Sequence, residues 1–135
     1  MSAKEFLQQA YEAHKEMEVK LEQLERLRSL AVSTTSRIHA AVPIKGSKGD
    51  SRIEKAVALI DEQTNRLADD IINLMEINKA VATAIAQVKS VSERAVLEYR
   101  YLSFFSWQQV STLMKTSISN VFKIHANALK NFPYM

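Results

Sequence analysis

The stretch LEYRYLSFFSWQQVSTLMKTSISNVFKIHANALKNF, residues 97–132, carries the most specific pattern in the chain. Together with Ser90 just before it, this stretch predicts three short helices, because Ser90, Ser106 and Ser117 each precede a helix-forming run and serine is a preferred N-cap residue. The residues predicted to point inward include Tyr99, Leu102, Leu113, Val121 and Phe122. The turn Met114-Lys115-Thr116 separates the second helix from the third. Pro133 is expected to stop the third helix, since proline cannot continue one.

Two short helices joined by a tight turn, the second with a polar outer side, are typical of a helix-turn-helix unit that binds DNA. The turn would hold the second helix so that its outward side chains enter a major groove. Asparagine suits adenine edges there, whereas lysine suits guanine or phosphate. The residues that we expect to contact DNA are Lys115, Thr116, Ser117, Ser119, Asn120, Lys123, Asn127 and Lys130.

The composition predicts an all-α protein. Only two glycines and two prolines occur in 135 residues, so long segments carry no helix breaker. Cysteine is absent, and neither a signal peptide nor a membrane-spanning segment is recognisable, so we expect a soluble cytoplasmic protein. The last 44 residues hold five Lys or Arg against two Glu, which gives this part a weak basic bias.

A heptad pattern runs through the middle of the chain. Ser51 and Glu54 have capping-box spacing, and apolar residues then recur at every seventh position with a companion set four residues later. Thr64 and Asn78 interrupt the pattern; Asn78 either fixes register or only borders the seam. The predicted oligomerisation seam consists of Ile53, Val57, Ile60, Leu67, Ile71, Leu74, Asn78, Val81, Ile85 and Val88.

The segment before this seam is a second long helix, roughly residues 3–42, with a weak point at residues 33–36. Its apolar stripe includes Met17, Leu21, Leu24 and Leu30 or Ala31. A loop at 43–51 makes the two helices antiparallel neighbours. We therefore expect a coiled-coil-like helical hairpin over residues 1–89 and the helix-turn-helix unit over 90–135. The hairpin either forms a homodimer or higher oligomer, or folds back on the C-terminal unit as a monomer.

Other classes of site lack their sequence patterns. The three histidines have no carboxylates or cysteines at ligand spacing, so no metal site is expected. No glycine-rich phosphate loop and no paired catalytic carboxylates are recognisable. We expect neither a cofactor nor an enzymatic activity.

Four segments of the C-terminal part resemble region 4 of sigma-70 factors: Leu97-x-x-Arg100-Tyr101-Leu102, Ser106-Trp107-x-x-Val110-x-x-x-Met114, Ser117-x-x-x-Val121, and Ala128 with Phe132. The chain as a whole looks like phage proteins of Gram-positive hosts that join an N-terminal helical segment to such a tail. The opening AKEFLQQAY and the pattern Ile124-His125-x-x-Ala128-Leu129 carry that wider likeness. The resemblance implies a phage or prophage regulator of transcription that binds double-stranded DNA.

Three positions depart from the sigma pattern, and at one of them Gln109 stands in place of the common acidic residue. Lys115 stands where the sigma turn usually has glycine, so a left-handed backbone is expected to be strained there. Ile124 stands where region 4 often has arginine, which makes the reading face less basic. Two alternatives therefore stay open: a DNA-packaging subunit like the small terminase proteins, which form rings, and a helical adaptor that binds RNA polymerase.

Overall fold

A computed structural model describes residues 1–40 and 48–133. All regular secondary structure in these two ranges is helical, as predicted. The helices are α1 (Ala3–Ala40), α2 (Lys48–Ala86), α3 (Val91–Leu97), α4 (Trp107–Leu113) and α5 (Ile118–Lys130). A π-helical turn, Glu98–Leu102, follows α3 directly.

The predicted ends of the long helices need correction. The helix α2 begins at Lys48, so the predicted capping box at Ser51 lies inside it and residues 48–51 are not loop. Glycine inside a helix costs only about 1 kcal/mol relative to alanine, so Gly49 does not prevent this earlier start. The rest of the predicted loop, 43–47, lies outside the described residues. The helix α1 continues through residues 33–36 to Ala40, because serine and threonine are only slightly worse helix formers than leucine.

The contacts divide the chain into two compact units. One, here called the terminal unit, combines Met1–Lys15 with Leu74–Met135, and the other, the central unit, is Glu16–Asn73. The sequence had predicted a boundary between residues 89 and 90, so this division is a different one. The start of α1 and the end of α2 thus share a unit with α3, α4 and α5.

The terminal unit has two clusters of buried side chains. The larger joins the start of α1 and the end of α2 to α3, the π-helical turn and α5, and consists of Leu7, Ala10, Val81, Ile85, Val88, Leu97, Tyr101, Ala128 and Phe132. The smaller joins α3, α4 and α5 through Val96, Val110 and Val121. Val81, Ile85 and Val88 were predicted for an oligomerisation seam, and they fill the chain's own core instead.

In the central unit the remaining seam positions also face inward. Ile60 and Leu67 are buried, and Ile53, Val57 and Ile71 are partly buried. Lys20 of α1 pairs with Asp70 of α2 at 3.4 Å. The stripe predicted for α1 is only partly correct.

Leu21 of that stripe is 50% exposed, and Leu30 is exposed as well. Leu27, which was not predicted, is partly buried. The inward positions of α1 follow 17, 20, 24, 27 and 31, alternating steps of three and four that keep one face of a helix together. Position 21 lies one residue beyond the inward position 20, so Leu21 points away from this face and toward solvent.

Candidate nucleic-acid interface

The turn between α4 and α5 is a Schellman motif. The amide of Thr116 donates to the carbonyl of Ser111 at 3.1 Å, and the amide of Lys115 donates to that of Thr112 at 3.2 Å. This motif requires a left-handed residue after the helix, and Lys115 takes that role with a φ of 55°. The left-handed backbone that the sequence predicted at Lys115 is therefore confirmed.

Replacing Lys115 by glycine should raise the free energy of unfolding by about 1 kcal/mol, since glycine has no Cβ to strain a left-handed backbone. Lys115→Ala is the matched control, because it removes the same charge and keeps the Cβ. Chemical denaturation of the three proteins measures the difference. A glycine variant no more stable than the alanine variant would show that the turn is unstrained.

The start of α5 is fixed by three polar residues next to this turn. Ser117 is the N-cap, and its hydroxyl accepts the amide of Asn120 at 3.1 Å. The side-chain amide of Asn120 donates to the hydroxyl of Thr116 at 2.9 Å. That contact orients the Asn120 side chain along the turn and leaves its carbonyl oxygen with no partner among the described residues.

All the residues predicted to contact DNA lie on α5 or on the turn before it. Seven are exposed and Thr116 is partly buried. At 3.6 residues per turn, those on α5 fall within an arc of roughly 100° on one side of the helix. They are Ser119, Asn120, Lys123, Asn127 and Lys130.

The opposite side of α5 packs into the terminal unit. Val121 and Ala128 are fully buried. Val121 belongs to the cluster with Val110 of α4 and Val96 of α3, so all three short helices share one core. The polar side of α5 therefore faces away from the unit that holds the helix.

An apolar surface borders this polar side. Phe122 was predicted to point inward, but it is 47% exposed, and Leu113 of α4 is likewise exposed rather than buried. Phe122 lies about 100° around the helix from Val121, too far to share its core. Its ring meets Trp107 edge-on at 5.3 Å between centroids. Ile118 extends the same apolar surface at the start of the helix.

The helix α4 begins with a complete capping box. The hydroxyl of Ser106 accepts the amide of Gln109, and the side chain of Gln109 accepts the amide of Ser106 at 2.9 Å. Glutamine thus performs the capping that an acidic residue would otherwise perform, and the sequence-based start of α4 is confirmed. The start of α3 is confirmed too, since the hydroxyl of Ser90 accepts the amide of Glu93.

A polar cluster that the sequence analysis did not identify lies beside α5. The ring nitrogen Nε2 of His125 lies 2.8 Å from the hydroxyl of Tyr101. Burial, followed by the nearby charges of Lys4 and Arg100, lowers the pKa of His125 to about 4. Burial raises the pKa of Tyr101, against a smaller opposing effect of Arg100. At neutral pH both side chains are therefore uncharged.

Two further properties of the described residues bear on the chemistry. They contain no group of three or more His, Asp or Glu placed to hold a metal ion. No helix in residues 1–40 or 48–133 has the length and apolar character needed to cross a membrane.

Comparison with known proteins yields no relative. No protein-family model, no characterised protein and no solved structure matches the chain.

Proposed function

We propose that this chain is a DNA-binding regulator of transcription that reads duplex DNA with α5. The observation that carries the proposal is the division of α5 into two sides. One side is buried against α3 and α4, and the other presents Asn120, Lys123 and Asn127 to solvent. With α4 and the tight turn at Lys115, this arrangement would serve as a helix-turn-helix unit.

The chemistry of the exposed side suits a major groove. Lys123 and Lys130 supply positive charge for phosphates or guanine, and the amides of Asn120 and Asn127 can pair with adenine edges. The first amides of α5 and the hydroxyl of Ser119 lie at a helix N-terminus, where a backbone phosphate is favoured. The assignment to phage or prophage regulation rests on the resemblance to sigma-70 region 4 and to the phage proteins that carry it.

Replacing Asn120 and Lys123 together by alanine should weaken duplex binding about 10- to 100-fold, because one base contact and one charged contact are lost. The slope of the logarithm of the binding constant against the logarithm of the salt concentration should become shallower by about one, because one counterion fewer is released on binding. Fluorescence anisotropy with a labelled duplex over a range of salt concentrations measures both.

The matched control replaces Asn65 and Lys55, two exposed residues of α2, by alanine. It changes the same residue types and the same charge outside α5. If both double variants bind as wild type does, α5 is not the reading helix. Circular dichroism of each variant checks that the helices are retained.

The two long helices are proposed to form an antiparallel hairpin that brings copies together as a dimer. Copies would have to meet at the central unit, because the end of the seam is occupied by the chain's own core. Leu30 and Leu59, both half-exposed, line a largely apolar groove of about 420 Å³ there. Light scattering would give a dimer for a regulator. A ring of many copies would instead favour a packaging subunit.

A second function is favoured by one specific observation, the exposed apolar side chains of Ile118 and Phe122 beside the polar side of α5. Exposed apolar patches commonly mark protein contacts. An adaptor that uses this patch to bind a protein such as RNA polymerase would show no duplex affinity even at low salt. A DNA reader would show affinity that rises steeply as salt is lowered.

A further inference from the structure

An open cleft in the terminal unit lies between the start of α1 and the segment that carries Arg100 and Trp107. Its volume is about 530 Å³. Clefts of roughly 300–1,000 Å³ are the size that accommodates small organic ligands. Two cations, Lys4 and Arg100, line it together with the neutral pair Tyr101 and His125.

The guanidinium of Arg100 is held in place by two contacts. Its Nη1 donates to the carbonyl oxygen of Phe105 at 3.0 Å, and its central carbon lies 4.5 Å from the centroid of the Trp107 ring. Neither contact neutralises the charge. Within the described residues, no carboxylate lies within ion-pair distance of Arg100 or of Lys4.

The only acidic side chain that lines the cleft is Glu5. Its carboxylate accepts the amide of Ser2 at 3.3 Å, and its own amide donates to the Ser2 hydroxyl. Glu5 therefore caps the start of α1 and does not pair with either cation. Burial is the largest cause of the low pKa of His125, and the charges of Lys4 and Arg100 lower it further.

The backbone near Arg100 is irregular in two places. Arg100 and Tyr101 lie in the π-helical turn, in which the amide of Ser103 donates to the carbonyl of Glu98 at 2.9 Å. Phe104 follows with a φ of 59°, an uncommon value for an aromatic residue. Single π-helical turns and strained residues are costly and occur frequently at functional sites.

We propose that this cleft is a binding site for a phosphate group, of the phosphomonoester class. Two cations face the cleft without carboxylate partners, and a phosphomonoester carries close to two negative charges at neutral pH. The planar guanidinium of Arg100 can offer phosphate oxygens its remaining N–H groups. The side-chain amide of Gln8, which also lines the cleft, is a further donor.

The test follows the His125 ring by NMR in the full chain at pH 7 while inorganic phosphate, AMP or acetate is added at constant ionic strength. The site predicts saturable changes with phosphate and with AMP, and weaker binding of acetate, which carries one charge. It also predicts that bound phosphate raises the pKa of His125, since the anion offsets the field of Lys4 and Arg100.

Lys4→Gln should weaken binding of AMP about tenfold or more, because one charge-assisted contact is lost. Lys4 is exposed, so this change leaves the fold intact. Lys55→Gln, which removes an exposed cation of α2 outside the cleft, is the matched control. Equal loss in both variants, equal binding of acetate, or no saturable change with phosphate or AMP would overturn the proposal.

A competition experiment with duplex DNA identifies which kind of molecule supplies the phosphate. If duplex and AMP bind independently, the cleft serves a separate small phosphorylated ligand, and the proposal is supported. If duplex displaces AMP and Lys4→Gln weakens duplex binding, the cleft takes a phosphodiester of the DNA backbone, and the assignment to the phosphomonoester class is overturned. Neither outcome depends on α5 being the DNA-reading helix.

Discussion

Replacing Leu7 by alanine should lower the free energy of unfolding of the terminal unit by about 2–5 kcal/mol, the range for removing a fully buried leucine side chain. Leu7 is fully buried in the cluster that includes Leu97, Ala128 and Phe132, although more than 80 residues separate it from them. The loss should therefore appear in the unfolding of the C-terminal helices and not only in α1.

The fluorescence of Trp107, the only tryptophan, follows this transition because its ring lies among α4, α5 and Arg100. Leu21→Ala is the matched control, since the same side chain is removed from a half-exposed position of the same helix. It should change the transition far less. An unchanged Trp107 transition in Leu7→Ala would mean that the start of α1 does not belong to the terminal unit.

Acidification should destabilise the terminal unit between about pH 6.5 and pH 4. The folded-state pKa of His125 is lowered to about 4 from the ordinary histidine value of 6.5, so in this window the unfolded chain binds a proton that the folded chain excludes. Stability then rises with pH across the window and is constant above it. The full shift would correspond to about 3 kcal/mol, and screening of this half-buried ring reduces the expected loss to about 1–2 kcal/mol.

Urea denaturation at a series of pH values measures this loss. His125→Gln keeps an amide partner for Tyr101 and cannot take up a proton, so it should remove most of the slope between pH 6.5 and pH 4. His14→Gln is the control, because it removes a histidine from another position of the same unit. If the slope survives in His125→Gln and disappears in His14→Gln, the assignment of the pH dependence to His125 is wrong.

Local signals in the sequence were sufficient for the helix boundaries of the C-terminal part. Ser90, Ser106 and Ser117 cap helices as predicted. Lys115 adopts the left-handed backbone that was expected at this position, where the sigma turn usually has glycine. Each of these features depends on hydrogen bonds within a few residues, so the sequence nearby determines them.

The inward faces were harder to predict where the helical period changes. Tyr101 of the π-helical turn and Leu97 just before it are buried, whereas the regular pattern had favoured Tyr99 and Leu102, which are only partly buried. That the hairpin folds back on the C-terminal unit was one of the two alternatives left open, but the contact of Leu7 was not identified, because it joins distant segments and no local pattern reports it.

The candidate interface likewise has some features that the nearby sequence determines and others that depend on contacts between distant segments. The exposure of Lys123 and Asn127 follows from helical spacing, which can be read from the sequence. The cleft lined by Lys4 and Arg100 cannot be read in this way, because its residues come from segments almost 100 positions apart. Phe122 was predicted to point inward because apolar side chains are usually buried. Only the structure shows that Val121 takes the buried position and that Phe122, the next residue, is exposed.

The central claim is that α5 reads duplex DNA, and selection of bound sequences from a random pool of duplexes tests it most directly. We expect the wild-type chain to enrich a short shared sequence, and the Asn120→Ala, Lys123→Ala double variant to lose that enrichment. If the wild-type chain retains no duplex at low salt, or enriches the same sequence with and without Asn120 and Lys123, then α5 is not a DNA-reading helix.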